Sequence, residues 1–191
     1  MEQTIDIFKT TIFKSKIKNQ KYVKYFLNLL KKEQQNNKGK KISNVGGFQS
    51  SQYTTLREDI LRNVFLDPGK NFIEKLNPKK TLNLTLGDFW INSNLNKDYN
   101  LLHNHFGATI SGIYYLEVPK NSGRLVFQNG DLSKMSSINF DYFHSENYYA
   151  RYFIIPEKFD LYLFPSEAFH YVEPNRSFEN RISVAFNLKV F

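Results

Sequence analysis

The sequence predicts an α+β fold, mainly β, in which N-terminal helices buttress a β-sandwich or barrel. Three observations predict it. Apolar residues recur at helical spacing in three stretches of the first 80 positions, and strand-like alternation takes over at Thr81. Aromatic residues make up 16% of the chain, with 18 Phe and 12 Tyr, a bias that favours sheet. Helices followed by a run of short strands build a layered α+β unit. At 191 residues a single domain is expected, with residues 1–80 its mainly helical support and residues 81–191 its β core.

From Tyr22 to Lys32, the apolar Tyr22, Val23, Tyr25, Phe26, Leu29 and Leu30 recur at helical spacing with lysines among them, which predicts an amphipathic helix. The polar stretch Gln34–Lys41 ends it. A second helix is expected over Thr55–Phe65, and Asp67-Pro68-Gly69 is expected to stop it. A third, short one is expected near Asn71–Leu76, before Pro78. Beyond it, Leu82, Leu84 and Leu86 alternate with Thr81, Asn83 and Thr85, the period of a half-buried strand. Further strand-like runs are Phe89–Asn92, Thr109–Val118, Arg124–Phe127, Tyr149–Ile155, Leu161–Phe164 and Arg181–Val190, divided by turns such as Pro119–Gly123 and Pro174–Asn180.

The composition excludes several chemistries. There is no cysteine, hence no disulfide, thiolate metal site or cysteine nucleophile. No apolar run approaches a membrane span, and Met1–Lys16 has no leader-like core, so a cytoplasmic protein is expected. The charge is uneven, with 17 Lys/Arg against 7 Asp/Glu in residues 1–80 and 9 against 11 beyond. Such a basic half could meet nucleic acid, an acidic protein or an anionic metabolite. Lysine dominates it and arginine is scarce, which fits a solvated helical face better than a phosphate-gripping surface. Gly46-Gly47 lacks the Gly-Lys-Ser/Thr sequel of a phosphate loop, and Ser166 lacks a nucleophile elbow. Gly107 and Gly112 are expected to relieve crowding beside the histidine-bearing strand.

Of the four histidines, His103 and His105 stand two apart, and His170 follows 65 residues later. On a strand that spacing turns both imidazoles to one face, and a third from a distant strand completes a facial metal site with open positions opposite. Neutral imidazole suits Fe(II), Zn(II), Cu(II) or Ni(II). A His-x-His pair on polar strand surface and a hydrogen-bonded His170 are the blander alternatives. Arg181 is the arginine inside the apolar run RISVAF, and a buried guanidinium needs an anion, either a ligand carboxylate or an internal acid.

The segment HNHFGATISGIYYLEVPKNSGRLVFQ resembles the iron-binding strand pair of 2-oxoglutarate/Fe(II)-dependent oxygenases, and FPSEAFHYVEPNRSFENRISVAFN resembles their second metal histidine and Arg-x-Ser strand. SNVGGFQS (Ser43–Ser50) and WIN (Trp90–Asn92) are similar to a small oxygenase family of marine phages and bacteria related to prolyl-4-hydroxylases. The resemblance is collinear over about residues 43–190. It implies a double-stranded β-helix, a jelly-roll or cupin-like core. It further implies Fe(II) on His103 and His170, dioxygen as oxidant, and 2-oxoglutarate as cosubstrate with its 5-carboxylate on Arg181. Ser183 and Tyr115 become helpers on that carboxylate, and Asn92 a further pocket candidate. The family position two residues after the first histidine is usually Asp or Glu, and here it is His105. A three-histidine site is the expectation; the other arrangement leaves His105 beside the metal, with a carboxylate from elsewhere, Asp131 being nearest.

The resemblance therefore implies a hydroxylase that couples 2-oxoglutarate decarboxylation to C–H oxidation of a small molecule or a protein side chain. A cupin-like metalloenzyme without 2-oxoglutarate, or a non-catalytic β-barrel binding or virion module, are the competing readings. The aromatic stretch Phe140–Phe153 with His144 reads as a lid or substrate loop, or as packing over the barrel mouth. Lys134 and Arg151 are too few to make it a surface for single-stranded nucleic acid.

Overall fold

The structure is a computed structural model that describes residues 9–130 and 150–191. Asp131, Lys134, His144 and most of the Phe140–Phe153 stretch lie outside the described residues.

In chain order the first strands are β1 (Phe13–Lys16), β2 (Asn44–Val45), β3 (Phe48–Gln49), β4 (Leu84–Asn94), β5 (Tyr99–His103) and β6 (Ile110–Glu117). There follow β7 (Leu125–Gln128), β8 (Arg151–Ile154), β9 (Asp160–Pro165), β10 (His170–Val172) and β11 (Arg181–Val190). They form two antiparallel sheets, a major one in the order β1-β9-β6-β11-β4-β3 and a minor one in the order β2-β5-β10-β7-β8. This is the double-stranded β-helix that the sequence led us to expect.

Alternation along β4 decides what each sheet face does. Phe89 and Ile91 join the core shared with the helices, while Trp90, Asn92 and Asn94 point the other way, into the space between the sheets. The helix-side core centres on Phe26, whose ring lies 6.0 Å from Phe89 and 6.2 Å from Phe65. A second, smaller core between the sheets holds Tyr115, Phe127, Tyr162 and Phe164.

Helix α1 (Gln20–Asn36) starts where the Asn19 side chain accepts the Lys21 N–H, and it buries Val23, Phe26 and Leu30 against the major sheet. It runs a turn further than the expected Lys32. The next helical segment corrects the expected stop at Asp67-Pro68-Gly69. Helix α2 (Glu58–Ile60), a π-helical stretch (Leu61–Leu66) and α3 (Asp67–Lys75) run end to end. Pro68 sits in the first turn of α3, where its missing N–H costs little, and the wide π turn precedes it. Gly69 is there for closeness. A Cβ on it would stand 2.5 Å from Leu84 Cδ2 and 2.8 Å from Leu188 Cδ1, so the helix lies directly on the sheet.

Two expected strands, around Leu84 and Phe89–Asn92, are one long β4. Residues 1–80 also supply strands, β1 and β3 at the two edges of the major sheet and β2 at one edge of the minor sheet. No described helix is long and apolar enough to cross a membrane.

Candidate active site

Strand β5 ends on His103, which pairs directly with His170 at the start of β10. On its other side His170 pairs with Phe127 of β7. His105 is not on the strand, as the sequence suggested, but in the turn that follows. Its N–H is held by the Ser166 carbonyl at 2.8 Å, and its ring leans on Trp90 at 5.6 Å between centroids. The turn brings it to the same point nonetheless. Ring centroids are 4.3 Å apart for His103 and His170, 5.0 Å for His103 and His105, and 5.2 Å for His105 and His170. One nitrogen from each ring lies within 4.8 Å of the others, a triangle that can hold a metal ion. Among the described residues no carboxylate joins this group.

Hydrogen bonding fixes which nitrogen is free. His103 Nδ1 lies 2.7 Å from the Leu101 carbonyl and His170 Nδ1 2.9 Å from the Ala168 carbonyl. A carbonyl only accepts, so each Nδ1 carries the proton and each Nε2 keeps its lone pair for a metal. Burial disfavours imidazolium at all three. It pushes His170 down to about 3, helped by the charge His103 would carry, and His105 down to about 4, again with His103 opposing a second charge. His103 is lowered by burial against the pull of the Leu101 carbonyl. The triad is therefore neutral at physiological pH, the state that binds divalent metal.

The same cleft reaches Arg181, whose side chain is only 1% exposed. Its Nη1 donates to the Ser122 carbonyl and, at 3.0 Å, to the Glu173 carbonyl. Nη2 has no partner. Among the described residues no carboxylate comes within ion-pair distance of it. Burial lowers its pKa, with Tyr115 and Asp98 opposing. The Tyr115 hydroxyl is likewise buried and without a partner among the described residues, and burial pushes it up to about 12, against the Arg181 charge, so it stays a neutral donor. Register explains the grouping. Ser183 pairs with Asn92 on one side and Tyr115 on the other, while Arg181 pairs with Asn94.

The residues present thus fit the expected groups. Three neutral imidazoles with free lone pairs suit a divalent metal, and a buried cation with one open amine beside a free phenol suits a carboxylate. Ser183 and Asn92 line the cleft as well. Every site residue named from the sequence, apart from the alternative Asp131, is therefore in one place. Sequence reading missed Asn94, which continues the Trp90–Asn92 alternation and was legible by that rule. It also missed Asn100 and the Ser122 and Glu173 carbonyls, for which no local signal exists. Gly112 does relieve crowding, since a Cβ would stand 2.3 Å from Phe186 Cζ, whereas Gly107 faces open space and serves its turn with φ +92°.

A two-sheet β-helix around this cleft defines the class: non-haem iron oxygenases that consume a 2-oxo acid. Residues 88–187, just over half of the chain, match the family model described as "Putative 2OG-Fe(II) oxygenase", and the chain belongs to that family. The family uses Fe(II), 2-oxoglutarate and dioxygen. Solved structures with the same fold include the viral collagen prolyl hydroxylase of Paramecium Bursaria Chlorella virus-1 in complex with 2-oxoglutarate. It is 13% identical at a TM-score of 0.60, over 93% of this chain and 94% of that one. A prolyl-4-hydroxylase of Pseudomonas putida is 11% identical, with a TM-score of 0.59 over 93% and 92%. An oxidoreductase of the 2OG-Fe(II) oxygenase family from Burkholderia pseudomallei is 13% identical, with a TM-score of 0.52 over 69% of this chain. This chain spans 57% of the length of that protein. No curated protein matches the sequence.

Proposed function

We propose that His103, His105 and His170 hold Fe(II) through one nitrogen each, that Arg181 and Tyr115 bind the 5-carboxylate of 2-oxoglutarate, and that the enzyme hydroxylates a C–H bond of a protein side chain. The observation that carries the reading is the pairing, in one cleft, of three neutral imidazoles with a buried guanidinium whose Nη2 has no partner among the described residues. A protein substrate is favoured because two structures sharing the fold are prolyl hydroxylases, one of them acting on collagen. The cytoplasm is the proposed location, resting on the absence of cysteine.

When bound, iron and 2-oxoglutarate supply the oxidising power: one atom of dioxygen goes into succinate as CO2 is lost, and the other into the substrate C–H bond. The protein's own part is placement. His103, His105 and His170 would hold the metal from one side of the cleft. Arg181 Nη2 and the Tyr115 hydroxyl donate to the carboxylate, and Ser183 and Asn92 wall it in. Phe127 and Phe164 pack on His170, at 5.9 and 4.7 Å between ring centroids, and keep water from that side of the triad.

Anaerobic reconstitution with Fe(II) and 2-oxoglutarate, followed by oxygen and succinate detection in the presence of prolyl peptides, tests the reading. One Fe(II) per chain and succinate release are expected. Failure to bind 2-oxoglutarate would overturn it, and undiminished succinate release by Arg181→Ala would overturn the carboxylate assignment.

A further inference from the structure

His103 and His170 are each steadied through Nδ1 by a carbonyl two residues back. His105 has no such ring bond among the described residues. Its turn is instead clamped on the backbone of Ser166, whose carbonyl accepts the His105 N–H at 2.8 Å and whose N–H donates to the Thr109 carbonyl at 3.2 Å. The placement of the third imidazole therefore depends on where Ser166 sits.

Ser166 is the end of a polar row across the major sheet. Asp88 of β4 pairs with Asn187 of β11, and Asn187 with Ser111 of β6. These three lie two residues along from the cleft-lining Trp90, Ala185 and Ile113, and so occupy the next rung of the same face. The bonds run in sequence. Asn187 Nδ2 donates to Asp88 Oδ1 at 2.8 Å, Ser111 Oγ donates to Asn187 Oδ1 at 2.8 Å, and the Ser111 and Ser166 hydroxyls meet at 2.9 Å. Gln52 donates to the other Asp88 oxygen at 2.8 Å.

The Asp88 carboxylate gives the row one direction. Asp88 only accepts, so Asn187 must turn its NH2 towards it and its oxygen towards Ser111. Ser111 then spends its single proton on Asn187, which leaves Ser166 as the donor between the two hydroxyls. Ser111 and Ser166 are each 1% exposed, while Asn187 and Asp88 are half-buried, and the buried end of such a row holds a single geometry only when its members are satisfied. Apolar side chains would fill the rung as well, but they would not orient Ser166.

We infer that Asp88, Asn187, Ser111 and Ser166 are positioning residues that set the His105 turn, and with it the third metal-binding imidazole. The inference rests on the ligand set proposed above.

Cobalt(II) titration of the full chain, read by its visible absorption bands, tests it, because those bands report the ligand geometry. Ser111→Ala and Asn187→Leu are expected to weaken Co(II) about tenfold and to move the bands towards those of His105→Ala. Ser111→Thr, which keeps the hydroxyl, is expected to restore both. Wild-type affinity and bands in Ser111→Ala and Asn187→Leu would overturn the row's role. If those two variants do not fold, Ser166→Ala decides, since it keeps the other bonds; wild-type bands there overturn the inference and shifted bands support it. Wild-type affinity and bands in His105→Ala would instead overturn the ligand assignment beneath it, which keeps the two failures apart.

Discussion

His170 and His103 face each other across the antiparallel pair β10 and β5, with ring centroids 4.3 Å apart, and each donates Nδ1–H to the carbonyl two residues before it. Two histidines far apart in sequence thus arrive with the same tautomer and with free Nε2 atoms. His103→Ala and His170→Ala are each expected to abolish stoichiometric Fe(II) binding in an anaerobic titration, with the far-ultraviolet circular dichroism unchanged. One iron per chain in either variant would remove that histidine from the ligand set.

Arg181 and Tyr115 hold the opposite end of the cleft. A hydrogen bond to a charged group contributes about 1.5–3 kcal/mol, so Tyr115→Phe is expected to weaken 2-oxoglutarate about 10- to 100-fold. Arg181→Lys is expected to do more harm than its charge suggests, because an ammonium cannot span the Ser122 and Glu173 carbonyls and the open side together. Calorimetric titration of 2-oxoglutarate into the metal-loaded protein checks both. Wild-type affinity in Tyr115→Phe would show that the hydroxyl does not reach the carboxylate.

Strand β11 was legible in full, because Arg181–Val190 alternates over ten residues and carries its polar residues at fixed intervals. Helix α1 was legible as an element through its regular apolar stripe, but its run on to Asn36, past the expected Lys32, was not. The continuation through Pro68 was not, since the signal that overrides the local stop is the fit of Gly69 against Leu84 and Leu188, residues distant in sequence. Strands β1 and β10, with four and three residues, are too short to show a period, and they exist because of β9, β5 and β7 beside them. At the site, the residues were visible by type, but the geometry that unites them was not. His105 reaches the triad by a turn clamped on Ser166, a long-range contact that no spacing rule encodes.

Gly123 supports the guanidinium from behind. It has φ +89°, and a Cβ would stand 2.4 Å from the Glu173 carbonyl oxygen and 2.9 Å from Arg181 Nη1. The left-handed backbone alone costs an L-residue about 1–2 kcal/mol, and the clash pushes apart the carbonyls that hold Arg181. Gly123→Ala is expected to lower stability by at least that amount in urea unfolding and to raise the KM for 2-oxoglutarate. Unchanged values of both would show that the turn yields without disturbing Arg181.

Glu173 works on two levels, its carbonyl on Arg181 and its carboxylate on Arg124 at 2.5 and 2.7 Å. The bond from the Arg124 side chain holds the carboxyl below its ordinary pKa, despite burial. A carboxyl depressed in the folded state contributes stability that is present above its unfolded pKa, ordinarily 4.5, and is lost as pH falls through the lower folded value. Arg124 is 43% exposed, so solvent screening limits the contribution to no more than about 1 kcal/mol. Glu173→Gln is therefore expected to melt slightly below the wild type at neutral pH, with the gap closing as the pH drops below about 4.5. Because Arg124 anchors the strand end next to Ser122, the same variant is expected to loosen 2-oxoglutarate binding modestly while leaving Fe(II) binding intact. A melting gap that stays constant from neutral to acid pH would assign the loss to packing of the side chain and not to its charge.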